Sequence, residues 1–85
     1  MFKTRAPDNS NNLVGPMVRR LRKEMKGNVS QHTFAHQLQL SGMDVCKNAV
    51  QLIEKGKRFV TDVELVIIAE VLDVSILILL GLEDS

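Results

Sequence analysis

Tryptophan and tyrosine are absent from this 85-residue chain, phenylalanine occurs three times and cysteine once. A single thiol, Cys46, excludes an intramolecular disulfide, and the basic residues near the N-terminus are not followed by a secretory apolar segment. A cytoplasmic location is the expectation. The two histidines and one cysteine offer no nucleophile–base arrangement, and the five glycines form no phosphate loop, so neither an enzyme nor a cofactor is expected. Lys and Arg are missing altogether beyond Arg58. The most apolar stretch, Val63 to Leu82, contains Glu64, Glu70 and Asp73. At about 3 kcal/mol for each charge near mid-bilayer, this argues against a membrane span.

What is present is a charge gradient. Residues 1–30 carry seven Lys/Arg against two Asp/Glu, residues 31–60 four against two, and residues 61–85 six acids and no Lys or Arg. The formal net charge of +1 hides this polarity. A polyanion can dock on the first two-thirds, and the acidic end must face elsewhere. A chain of this size buries only about 60% of its unfolded surface, so a partner subunit would add useful area.

Residues 1–12, polar and without apolar periodicity, read as a flexible N-terminal arm, and residues 13–85 as one domain. Val14, Met17, Val18, Leu21 and Met25 fall at helical spacing behind Pro16, with Arg19, Arg20, Lys23 and Lys26 opposite and Gly27 as a stop. Ser30 caps a second helix, whose inward stripe is Phe34, Ala35 and Leu38. After a turn at Ser41-Gly42-Met43-Asp44, Val45 re-enters the core and a third helix, Cys46 to Lys55, buries Ala49, Val50 and Ile53. Thr61-Asp62-Val63-Glu64 has capping-box spacing, and Val60 with Leu65 has hydrophobic-staple spacing, so a fourth helix starts at Thr61. Ser75 caps a short fifth over 76–80, with Gly81 as its stop. Five helical segments leave no sheet, and the fold class is all-α.

Three segments then stand in order: Ser30-Gln31-x-x-Phe34-Ala35-x-x-Leu38, Ile53-Glu54-Lys55-Gly56-Lys57-Arg58, and Ala69-Glu70-Val71-Leu72-Asp73-Val74-Ser75. Together they resemble the phage-repressor and Cro-like (xenobiotic-response-element) helix-turn-helix family over about residues 14–82. The resemblance implies a compact five-helix bundle of the lambda-repressor-like type that binds double-stranded DNA and regulates transcription. It places Gln31 on a phosphate and the third helix in the major groove, with Lys47, Asn48 and Gln51 at base edges. Lys suits guanine O6 and N7, and Asn or Gln suits adenine N6 and N7. Lys55, Lys57 and Arg58 are carried over as backbone contacts, Leu52 as a thymine-methyl or protein contact, and Arg22 with Glu54 as a structural ion pair. The chain departs from the usual family spacing by extra residues at Leu40-Ser41-Gly42-Met43-Asp44, a long-turn variant, and Cys46 stands where a Ser or Thr cap is usual.

Against each site residue stands a plainer reading. Lys47, Asn48 and Gln51 also suit a solvated helix face, and the cations of the first helix suit one better still. His32 and His36 lie four apart, but no third ligand is evident, so no metal is expected. Cys46 at a helix start can be a redox switch or a small partly buried residue. The apolar excess of Val63–Leu82 predicts a homodimer through the last two helices, with Ile76, Ile78 and Leu79 as contacts on a palindromic operator. The alternative is a protein-interaction module, an antitoxin or adaptor, with a protein partner on that same apolar surface.

Overall fold

Most helices of this chain begin where a short side chain replaces a missing backbone partner. In the computed structural model, which describes residues 11–83, the helices are α1 (Gly15–Glu24), α2 (Gln31–Leu40), α3 (Lys47–Glu54), α4 (Asp62–Leu72) and α5 (Ile76–Leu79). Ser30 accepts from the Thr33 amide and starts α2, and Ser75 accepts from the Ile78 amide and starts α5. At α4 the capping box is complete: Thr61 accepts from the Glu64 amide at 3.2 Å, and Glu64 accepts from the Thr61 amide at 3.1 Å. The fold is an all-α bundle, and no strand occurs among the described residues. No helix among them is long and apolar enough to cross a membrane.

Inward stripes from every helix meet in one core. Val18 of α1, Phe34 and Leu38 of α2, Val50 and Ile53 of α3, Ile68 of α4 and Leu79 of α5 are all essentially inaccessible. The segment between α2 and α3 joins them, because Met43 and Val45 are also buried. Its path is set by Gly42, whose φ of +102° only glycine adopts readily, and by Gln39 of α2, which donates to the Val45 carbonyl at 2.6 Å. The turn is therefore a braced connection with two side chains in the core.

Three boundaries differ from expectation. Met25 is the C-cap of α1 and no longer helical, and Cys46 and Lys55 are the caps of α3 rather than its ends. The expected arm over residues 1–12 is also corrected at its inner end; residues 1–10 lie outside the described part of the chain. The Asn11 backbone donates to the Gly56 carbonyl at 2.7 Å and its side chain to that of Lys57 at 2.9 Å. Asn12 donates to the carbonyls of Ile53 and Arg58 and accepts from the Gly15 amide at 2.8 Å. Its oxygen stands three residues ahead of the amide it receives, the spacing of a helix cap, which explains how α1 starts although Val14 offers no side-chain cap.

Candidate nucleic-acid interface

The rotation of α3 about its axis follows from what it buries. Val50, Ile53 and Glu54 point inward, and Ala49 is half-buried. With 100° between successive residues, the remaining arc carries Lys47, Gln51 and Lys55 along one edge and Asn48 and Leu52 along the other. Lys47, Asn48 and Lys55 are exposed, Gln51 is half-buried, and Leu52 is 44% exposed. These five expected contact residues therefore share one surface. Lys57 is exposed in the following loop.

A polar clasp holds this surface in place. The Glu54 carboxylate, 6% exposed at the end of α3, receives Arg22 Nε at 2.6 Å and Arg22 Nη2 at 3.1 Å, and its Oε1 also accepts from Gln31 Nε2 at 3.0 Å. Arg22 uses its remaining terminal nitrogen on the Val29 carbonyl at 2.8 Å, just before α2. One carboxylate thus gathers α1, α2 and α3. A bidentate arginine fixes direction as well as distance, and breaking such a pair strands a buried charge. Gly15 makes the close approach possible: a Cβ there would overlap the Ile53 carbonyl oxygen and stand 2.9 Å from that of Glu54.

Two of the expected phosphate contacts also bond within the protein. Gln31, expected on a phosphate, is half-buried and gives one amide hydrogen to Glu54. Arg58, expected at the DNA backbone, directs Nη1 and Nη2 to the two Glu64 oxygens at 3.1 and 2.9 Å. Its guanidinium therefore ties the loop after α3 to the first turn of α4. That guanidinium, helped by the Thr61 amide, holds the Glu64 carboxyl below its ordinary value.

A cleft of about 420 Å³ opens beside the exposed arc, lined by Arg19, Gln31, Gln51, Glu54 and Lys55. A smaller one of about 160 Å³ lies between α2 and the start of α3, lined by His32, Ala35, His36, Gln39, Cys46 and Lys47. No group of three His, Cys, Asp or Glu residues among the described residues is arranged to hold a metal ion.

No protein-family model and no curated protein sequence matches this chain. Among solved structures, it is similar to the restriction-modification controller protein C.AhdI from Aeromonas hydrophila. The two are 36% identical over 79% of this chain and 94% of that one, with a TM-score of 0.63. The chain belongs to the helix-turn-helix family of restriction-modification controller proteins.

Within this controller fold, the apolar C-terminal surface differs in detail from expectation. Leu79, expected at a dimer interface, is fully buried in the core, which corrects that assignment. A four-residue helix aims one side chain squarely inward, and in α5 this is Leu79. Ile76 and Ile78 are half-buried, while Leu77 is 48% exposed. On α4, Val63 and Val66 are exposed, and Leu82 follows α5 with 73% exposure. This controller chain therefore leaves an apolar surface across its last two helices.

Cys46 is exposed and makes no side-chain cap bond, yet the amides of Ala49 and Asn48 face the sulfur and draw its thiol below the ordinary value. Sequence reasoning missed Asn12, Gly15 and Arg19. The cap-like spacing of Asn12 and Gly15 was available as a signal. The convergence of Arg19 with Gln31 and Gln51 was not, because it depends on how α1 crosses α3.

Proposed function

We propose that this protein is a transcriptional controller that binds double-stranded DNA, with α3 in the major groove, as a homodimer on a palindromic operator governing restriction-modification genes. The observation that carries this reading is the α3 surface: Lys47, Asn48 and Gln51 project from a helix whose rotation is locked by the buried Arg22–Glu54–Gln31 clasp. Kinship with a controller protein supports the regulatory role. Long polar side chains on a rigid helix can donate to guanine and both donate to and accept from adenine, which is the chemistry of direct readout. Leu52 adds an apolar group suited to a thymine methyl. Lys55 and Lys57 supply charge for the flanking backbone.

The dimer places Ile76, Ile78 and Leu77 of two copies against each other, so that the two recognition helices address successive half-sites. Ile78→Asp then yields monomers; an unaltered molecular mass in solution overturns this interface. The broader test is selection of duplexes from a random pool at two salt concentrations, with wild type beside Asn48→Ala. A palindromic motif that weakens or changes in the variant supports base readout. Weak, strongly salt-dependent binding that is indifferent to Asn48→Ala overturns it and leaves nonspecific electrostatics. The exposed Val63, Val66, Leu77 and Leu82 favour one second reading, a protein-interaction module, which predicts no selected motif.

A further inference from the structure

We propose that the cleft between α1, α2 and α3 seats one phosphodiester of the duplex backbone, with Arg19 as its principal cation. This rests on the DNA-binding reading and assigns a contact to α1, which the sequence placed on a solvated face.

Each of the other arginines among the described residues has an acidic partner: Arg20 meets Glu24, Arg22 meets Glu54, and Arg58 meets Glu64. The Arg19 side chain makes no hydrogen bond or ion pair with a described residue, is exposed, and lines the cleft together with Lys55. The one carboxylate there, Glu54, is already met by Arg22 at both oxygens and by Gln31, so it places little free negative charge on the cleft wall. Two cations then dominate the cleft, and the carboxamides of Gln31 and Gln51 flank them. Phosphate oxygens are met in duplexes by this same mixture of Arg, Lys and Gln donors. The cleft also lies on the right side of the molecule, because Gln51 and Lys55 belong both to its wall and to the exposed edge of α3. With α3 in the major groove, the adjoining strand backbone runs along this wall.

The test is anisotropy titration of a labelled duplex carrying the selected site, over a salt series, with wild type, Arg19→Ala and Arg20→Ala. Arg19→Ala weakens binding to all sequences alike, leaves base preference intact and lowers the slope of log K against log salt by about 1, while Arg20→Ala keeps the wild-type slope. Duplexes in which single phosphates are replaced by uncharged methylphosphonates locate the contact. At one position wild type loses affinity and Arg19→Ala loses none further. A wild-type slope in Arg19→Ala, or a changed base preference, overturns this site and leaves the DNA-binding reading standing. Failure of the wild type to bind any duplex overturns both.

Discussion

At the α1–α3 corner, Arg22, Gln31, Asn11 and Asn12 direct hydrogen bonds onto Glu54 and onto the carbonyls that follow Leu52, and Gly15 lets the two backbones come close. Across the molecule, α4 and α5 meet the rest of the bundle through Ile68, Ala69, Leu72 and Leu79, and their polar ties are confined to the start of each helix. The first region is held by directional bonds between groups far apart in sequence. The second is held by contacts without directional preference, and it leaves Val63, Val66, Leu77 and Leu82 in solvent. The difference matches what each has to do under the proposed function. A helix that reads bases must be fixed to within a fraction of an ångström, whereas a surface that pairs with another copy needs area more than register.

The comparison is broken most severely at Glu54. Glu54→Ala leaves Arg22 buried without its partner, and a loss of about 3–5 kcal/mol in urea unfolding is the expected outcome, large enough to unfold much of a small domain. Gly15→Ala follows: the added methyl meets the backbone carbonyls of Ile53 and Glu54 and the Asn12 side-chain oxygen, and the forced shift costs about 1–3 kcal/mol by the same measurement. Because that shift moves α3 against α1, DNA affinity should fall further than stability alone implies.

The start of α4 gives a smaller effect. Thr61→Ala removes one half of the capping box and costs about 1 kcal/mol. Glu64 adds a pH dependence of known sign. Its folded carboxyl titrates below the ordinary 4.5, so its stabilisation is fully present above that value and is lost as pH falls through the folded value. The stability gap between wild type and Arg58→Ala therefore closes in acid, and a constant gap from pH 7 to pH 3 would remove the Arg58–Glu64 pair from the account. Last, Val63→Ser on the open face of α4 should change stability by no more than about 0.5 kcal/mol. A larger loss in a monomeric sample would mean that this face is packed and not open.

Legibility in the sequence divides along the range of each interaction. Ser30, Thr61 and Ser75 each bond an amide three residues on, so the starts of α2, α4 and α5 could be read directly. Phe34, Ala35, Leu38, Val50 and Ile53 recur at helical spacing and are buried accordingly. Asn12 reads as part of a polar arm because its partners at Ile53 and Arg58 lie 41 and 46 positions away. Leu79 is indistinguishable in sequence from Ile78 beside it, and the rotation of one short helix against α4 decides which is core. Met43 reads in sequence as part of a turn, but the turn folds back under α2 and buries it.

The sequence by itself determined the helices, their order and most of the core, because caps and apolar periods act within a few residues and survive without tertiary context. Tertiary structure alone decided which polar side chains became partners. Arg22 and Arg19 lie one turn apart on the same helix, yet one is buried on Glu54 and the other stands free over a cleft. No local rule separates them, since the distance from each to an acid 30-odd residues away is set only when α1 crosses α3.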